Sequence, residues 1–500
     1  MGTRIEILIT SKKIRVFGII LNIILPYFIV LAITKLNGAD LASYFPAWND
    51  EYGWWLQADA IAQYGRPLGY WGYNGGTPQL GTFGPWGWAM PYLYGIFGAI
   101  FGWEYHSYIY ANILFSCLSV AIFILLTKPS SKGIYILLAI NLLQVVRNLY
   151  SFTAMSETGR HAIALIGVGL VYYIFKNPDC NRWIKYGLVP IWIVYCTQAY
   201  SLLAILFFLY ICCLMRGKKW YVNLCISGIA TVIYGIVSYK ILMLTVTPYV
   251  VTTTGFAYTT LKNNILSLLN ILSAGAPFYQ LYIVTYLFTI LALVLVLAVK
   301  WKEMHSNDKI IYSVATFFLV AWLGAFICLY AASESGMIRG LSIAVLLATF
   351  LMVLAKNKTP IYVFLICTVM TVFVSGEYAE SFFTSGRYAT DETIMYYEQL
   401  EEKVSSVMKV AEDAATPWEN TVVNFLGGSQ LSLALPSGLS YNGSFDGTVI
   451  TDAKYAYLEK SFVNLFADAD EILNNYLNNG FELTSVNGDD VVILINSKYT

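Results

Sequence analysis

The sequence predicts an α-helical polytopic membrane protein with about eleven transmembrane helices, a long first outer loop and a small external α+β domain at the C-terminus. Three observations carry this expectation. Of 500 residues, 58% are hydrophobic and only 12% charged, where soluble domains carry about 25% charged residues. Apolar runs of spanning length recur through residues 1–375, a helix needing about 20 such residues to cross a bilayer. Charge is also segregated: residues 1–375 hold 24 Lys and Arg against 11 Asp and Glu, and residues 376–500 hold 6 against 19. A basic apolar body of net +13 therefore precedes an acidic tail of net −13.

In chain order the expected spans are 14–35, 107–127, 132–149, 160–175, 184–198, 199–215, 220–244, 280–299, 310–330, 338–355 and 359–375. Lys12, Lys13 and Arg15 precede the first run as they would a signal peptide, but no small-residue cleavage site follows, so it is expected to stay as a span. The run 184–215 is too long for one span and is interrupted near 196–201, which divides it into two short helices. With the N-terminus in the cytosol every inner turn is basic: Lys128 and Lys132; Lys176, Arg182 and Lys185; Arg216, Lys218 and Lys219; Lys300, Lys302 and Lys309; Lys356 and Lys358. This parity requires that 83–101, rich in Gly, Pro and Trp, lie at the interface instead of spanning. The tail is then external, and the expected location is a plasma membrane of bacterial type.

Two outer loops stand out by length. The first, about 37–106, carries seven of the 13 tryptophans, Trp48, Trp54, Trp55, Trp71, Trp86, Trp88 and Trp103, a density suited to headgroup level. The second, about 245–279, is Thr-rich and then helical over 261–272. Long ordered loops are usually functional. In the tail, periodicity predicts a helix over 390–413, strands at 422–426 and 431–435, a helix near 454–477 and a closing strand at 491–495. The eight cysteines all precede residue 376 and form no CxxC pair; with three histidines in the chain, zinc has no ligand set and packing is the expected cysteine role.

Seven carboxylates are expected on the outer side: Asp40, Asp50, Glu51, Asp59, Glu104, Glu157 and Glu334. Asp40, Asp59 and Glu104 suit solvated loop positions. Asp50 and Glu51 open an expected helix over 50–64, with Asn49 as N-cap. There the doublet either complements the helix dipole or supplies an ionised base for a hydroxyl acceptor. Around the outer turn between the third and fourth spans stand Arg147, Glu157, Arg160 and His161, and Arg339 follows a second polar turn. Arginine matches phosphate oxygens in a planar fork; the same residues also suit snorkelling and a local Glu157–Arg160 pair.

The chain resembles GT-C-type integral membrane glycosyltransferases, which use polyprenyl-phosphate-linked sugars. The resemblance rests on one uncleaved span followed by a long outer loop opening Trp48-Asn49-Asp50-Glu51 and continuing Tyr52-Gly53-Trp54-Trp55. It extends through Gly69-Tyr70, the run Gly81-Thr82-Phe83-Gly84-Pro85-Trp86-Gly87 and the Met155-Ser156-Glu157 turn. It covers most of residues 1–375 and not the tail, which lacks the WWD-type signature of oligosaccharyltransferases. The resemblance implies that Asp50 is the general base, with Glu51 its competitor, and that Glu157 binds or orients the acceptor. Arg147, Arg160, His161 and Arg339 would neutralise the leaving phosphate, and Tyr52 and Trp54 would contact substrate. The implied reaction is inverting transfer to a hydroxyl of a glycan, lipid or protein at the outer face of the bilayer. It fixes no cofactor, is compatible with a divalent metal ion, and involves no nucleic acid.

The chain is read as lacking a GxGxxG, P-loop or DxD motif, which disfavours a nucleotide-sugar donor. The competing classes are an O-antigen-type polymerase or ligase, which would share the outer-face arginines, and a polysaccharide or lipid transporter. A transporter would be expected to repeat internally, and the two halves show no repeat.

Overall fold

The computed structural model describes residues 12–68, 72–73, 87–238, 258–329, 334–383, 386–425, 431, 433–444, 449–465 and 467–500. Gly69-Tyr70, Trp71, the Gly/Pro-rich run through Trp86 and the Thr-rich part of the second outer loop lie outside the described residues, and so does the side chain of Glu334.

The helical body comprises α1 (Lys12–Leu36), α2 (Asn49–Tyr64), α3 (Ala89–Phe101), α4 (Ser107–Thr127), α5 (Ser131–Leu143), α6 (Val145–Tyr150) and α7 (Glu157–Lys176). It continues with α8 (Val189–Ala199), α9 (Ile205–Leu214), α10 (Trp220–Val237), α11 (Tyr258–Ala274), α12 (Pro277–Lys300), α13 (Ser306–Leu329), α14 (Glu334–Met352) and α15 (Thr359–Phe373). Among the described residues seven helices, α1, α4, α7, α10, α12, α13 and α14, are long and apolar enough to cross a membrane. The first shows how a uniformly apolar helix still selects a face. Gly18, Asn22, Pro26, Val30 and Thr34, four residues apart, form its buried stripe, while Phe17, Ile20 and Phe28 remain exposed. Small and polar residues on the packed side with large apolar ones outside is the pattern of a lipid-facing helix.

Two expected spans are broken, one as anticipated. The run 184–215 parts at Tyr200, whose extended backbone (φ −160°, ψ 115°) separates α8 from α9. The run 132–149, expected as one span, divides at Gln144 into α5 and the short α6. Asn148 makes the break tolerable, because its amide donates to the carbonyls of Asn141 (3.1 Å) and Leu142 (3.2 Å) that the break releases. In the first outer loop, α2 begins at Asn49 with Trp48 as N-cap, one residue before the expected start, so Asn49 is inside the helix and not its cap. Gly65 closes α2 in the left-handed conformation (φ 71°). Packing of α3 on α2 depends on Gly95, where an added Cβ would lie 2.5 Å from Ile61.

The tail adds α16 (Gly376–Glu380), α17 (Asp391–Val407), α18 (Lys460–Val463) and α19 (Ala469–Asn478). A six-stranded sheet comprises β1 (Gly72–Tyr73), β2 (Thr421–Phe425), β3 (Ser440–Ser444), β4 (Tyr455–Glu459), β5 (Phe481–Asn487) and β6 (Val491–Asn496), in the order β1-β3-β2-β4-β6-β5. The first four strands of that order pair in parallel and β6 and β5 join antiparallel. The expected strand at 422–426 is β2 and the closing strand is β6. The strand expected at 431–435 is absent among the described residues there: Leu433 to Leu435 are buried in a turn, and the pairing is made by β3 instead. The helix expected near 454–477 is also corrected. Tyr455, Ala456, Tyr457 and Leu458 are all buried, a continuous apolar run that makes a doubly covered strand, and the helix starts only at α19.

Among the described residues, body and tail are joined at several places. The outer-loop strand β1 pairs with β3. Residues 43–45 pair with 387–389, through Phe45 N–H to Arg387 C=O (2.8 Å) and Ala389 N–H to Ser43 C=O (2.8 Å). Between these lies an ion pair with no exposed side-chain surface, Arg387 Nη1 to Glu51 Oε1 (2.6 Å) and Oε2 (2.5 Å). Glu51 Oε2 also accepts from Ala154 N–H (3.0 Å), and Arg387 stacks over Trp48 with its guanidinium carbon 5.0 Å from the ring centre. Removing one partner of a buried pair strands the other charge. Glu51→Gln should therefore destabilise the chain by about 3–5 kcal/mol, and Glu51→Leu combined with Arg387→Met should recover most of the loss. Thermal unfolding in detergent of the single and double variants tests this coupling.

Asp59, expected as a solvated loop residue, is instead buried against the tail. It accepts from Ser437 Oγ and from Gln63 Nε2 (3.2 Å). Burial raises its pKa to about 6, and the two hydrogen bonds offset part of the shift. A carboxyl raised on folding favours the folded form below its unfolded value and loses that contribution as pH climbs through about 6. Docking of the tail on α2 should thus weaken between pH 4 and 6, and Asp59→Asn should flatten that dependence. Hydrogen exchange of the 437–442 backbone against pH measures it.

Candidate functional site

The polar turn 151–156 fixes the start of α7, and its own position is set from three directions. Asn112 of α4 donates to the carbonyls of Ser151 (3.1 Å) and Thr153 (2.8 Å). Tyr94 of α3 donates to Asn112 Oδ1 (2.6 Å) and accepts from the Gly159 amide (3.1 Å). Glu51 holds the Ala154 amide from the α2 side. An otherwise irregular buried turn is thereby satisfied and rigid.

Glu157, at the first residue of α7, forms ion pairs with two arginines. Its Oε1 lies 3.2 Å from Arg339 Nε on α14 and 3.5 Å from Arg160 Nη1 one turn on. Its Oε2 is buried without a hydrogen-bond partner. Arg160 also donates to the Ala199 carbonyl (3.1 Å) and lies over the rings of Tyr200 and Trp54. Two cations share the Glu157 carboxylate, and the Asp50 carboxylate beside them brings the group to charge balance.

Beside it opens a cleft of about 630 Å³ lined by Asp50, Arg339, Trp48, Tyr150, Tyr279 and Ser335, with Tyr378, Ser381 and Phe382 of the early tail as its far wall. Asp50 is half-buried there. Burial raises its carboxyl above the ordinary range; the charge of Arg339 pulls it down, Glu157 and Glu51 push it up, and Arg160 pulls it down. The walls are aromatic: Phe382 packs on Trp48 (ring centres 4.9 Å), Tyr150 (5.3 Å) and Tyr378 (5.3 Å). A carboxylate, a guanidinium and flat apolar rings around one open volume suit an oxygen-rich anionic ligand with a ring-shaped, hydroxylated part.

The structure thus brings together four of the residues singled out from the sequence, Asp50, Glu157, Arg160 and Arg339, and gives the others different surroundings. Glu51 is consumed by Arg387 and does not face the cleft-lining residues, which corrects its standing as an alternative to Asp50: a carboxylate with no exposed surface, held by four donors, has no access to a substrate proton. Tyr52 and Trp54 are 2% and 1% exposed and belong to the apolar core. His161 contacts Ser342 Oγ at 2.9 Å, joining α7 to α14. Arg147 donates to Asn141 Oδ1 (2.5 Å) and lines a separate enclosed cavity of about 30 Å³ with Tyr282, Tyr286 and Thr349. That space admits a water but no phosphate. Asp40 and Glu104 are exposed and pair with Lys35 and His106.

Sequence reasoning missed the tail's contribution. Arg387 and the 378–382 wall carry no local signal, since an isolated Arg and two aromatics after an apolar run are common. It also passed over Asp468-Ala469-Asp470, a DxD triplet by letter. There Asp468 caps α19, accepting from the Asp470 and Glu471 amides, and Asp470 pairs with Lys460 at 2.8 Å, so the triplet is occupied in folding. Among the described residues no group of three or more His, Cys, Asp or Glu side chains gathers to hold a metal ion.

The geometry makes Tyr94 a positioning residue for Glu157. Tyr94→Phe leaves both the Gly159 amide and Asn112 Oδ1 short of a buried partner, at a cost of about 1–3 kcal/mol. Faster hydrogen exchange of the 151–160 amides, with the rest of α7 unchanged, is the expected signature. Comparison with family models, with curated proteins and with solved structures returns no match to this chain.

Proposed function

We propose that this chain is an inverting membrane glycosyltransferase that moves a sugar from a polyprenyl-phosphate donor to a hydroxyl acceptor on the outer face of a bilayer. The observation that carries the reading is the half-buried Asp50 sharing a cleft with Arg339, itself tied through Glu157 to Arg160. Asp50 takes the proton of the acceptor hydroxyl as its oxygen attacks the anomeric carbon. The bond from that carbon to the phosphate oxygen breaks, its electron pair leaves with the lipid phosphate, and the configuration inverts in the single displacement. Arg339 meets the growing phosphate charge, and Glu157 orients Arg339 and Arg160. The aromatic walls exclude water from the sugar.

The topology belongs to the same proposal: eleven spans, the N-terminus in the cytosol and the tail outside. Support comes from the seven long apolar helices, from the shorter apolar helices between them, and from the basic residues at alternate turns. Cleft residues Glu157-proximal Arg339 and Tyr150 lie at the helix ends opposite those basic turns.

The test is transfer of radiolabelled sugar from polyprenyl-phosphate donors by the purified chain in liposomes. Asp50→Asn should fold normally and lose transfer by about 10²–10⁴-fold; an active, folded variant removes Asp50 from the chemistry. Because the base works deprotonated and burial raises its pKa, the acid limb of the rate profile should lie above the usual aspartate range. Arg339→Gln deletes a charge that lowers that pKa, so the limb should move further up even as the rate falls.

A further inference from the structure

A second cleft, of about 420 Å³, opens at the other end of the same helices. Its walls come from the last turns of α7 (Val168, Val171, Phe175) and α9, and from the first turns of α10 and α13. Glu157 and Phe175 stand 18 positions apart on α7, which at 1.5 Å per residue places the Phe175 end of this cleft about 27 Å from the Glu157 turn, close to a bilayer's hydrocarbon thickness. The volume is within the range of small-molecule sites. Its lining is apolar except at the mouth, where Arg216, Lys218 and Asn223 gather.

The mouth is cationic. Arg216 and Lys218 are exposed and enter no salt bridge among the described residues; Arg216 donates to the Phe175 carbonyl (3.0 Å), which fixes its guanidinium over the α7 terminus. Lys176 and Lys219 add charge on either side. The nearby acid, Asp308, is buried and accepts from the amides of Lys356 (2.9 Å) and Asn357 (3.1 Å); its charge offsets part of this field, and Arg216, Lys218, Lys176 and Lys219 outnumber it. Trp220, 74% exposed, stands at the rim where an indole would sit at headgroup level.

We infer that this cleft binds one anionic phospholipid of the surrounding bilayer, with an acyl chain in the apolar slot and the phosphate on Arg216 and Lys218. Charge complementarity selects the headgroup: a zwitterionic lipid brings its own cation to a mouth that already holds two. The site depends on the membrane setting of these helices and is independent of the transfer chemistry at the opposite end. By pinning α7, α9, α10 and α13 together, the lipid braces the helix whose first turn carries Glu157 and Arg160.

Native mass spectrometry of the full chain in detergent, exchanged with dioleoyl phosphatidylglycerol or dioleoyl phosphatidylcholine, tests the site. Wild type should retain one phosphatidylglycerol and little phosphatidylcholine. Arg216→Ala with Lys218→Ala, both at exposed positions, should reduce phosphatidylglycerol retention about tenfold or more. Lys300→Ala with Lys302→Ala, which removes equal charge from another basic turn, should retain it. Val171→Phe, which fills the slot and keeps the cations, should also reduce retention. Equal loss in the two double variants, unchanged retention in the Arg216 and Lys218 variant, or unchanged retention in Val171→Phe overturns the proposal.

Discussion

One buried ion pair organises the junction between the helical body and the tail. Glu51 reaches from the first helix of the outer loop to Arg387, 336 residues away, and on the same oxygen takes the amide of Ala154. Three segments distant in sequence therefore meet at a single carboxylate. Desolvating two charges costs several kcal/mol each, which is repaid only where geometry and further hydrogen bonds are good. The four donors on Glu51 and the stacking of Arg387 on Trp48 supply those conditions. Such a pair adds little net stability over an apolar replacement, but it specifies one arrangement of the three segments, because any other leaves a naked charge.

The adjacent carboxylate is free because Glu51 is not. Successive residues on a helix point about 100° apart, so anchoring Glu51 toward Arg387 and the Ala154 turn rotates Asp50 toward the cleft. Placement of Arg339 follows from the same anchor: Glu51 and Asn112 set the turn that begins α7, α7 begins with Glu157, and Glu157 takes Arg339. The acidic doublet is one residue bound into the fold and one lining the cleft, divided by helix geometry.

That division marks the limit of what was legible beforehand. Length and hydropathy revealed the long helices, and the break at Tyr200 showed as an interruption of an overlong run, because both are local properties of the chain. The α5–α6 break was hidden: Gln144 is only mildly polar, and what stabilises the break is the Asn148 amide. In the tail, the buried Tyr455–Glu459 strand resembled a helix start because a fully covered strand has no alternation. Asp50, Glu157, Arg160 and Arg339 stood out as charges next to apolar runs. Nothing local distinguished Glu51 from Asp50, or showed that Tyr52 and Trp54 would be core, since those outcomes depend on Arg387 and on packing across hundreds of residues.

The distribution of polar groups along α7 gives a physical reason for the two ends to differ. Its first turn carries Glu157, Arg160 and His161, all buried and each engaged by a neighbour, so that end cannot rearrange without breaking ion pairs. Its last turns carry Val168, Val171 and Phe175 against an apolar space, where small shifts cost only dispersion contacts. A helix rigid at one end and loosely packed at the other transmits displacement poorly unless the loose end is filled. The contacts of Glu157, Arg160 and His161 hold the first turn, while the apolar walls and cationic mouth at the other end set the chemistry that space can accept.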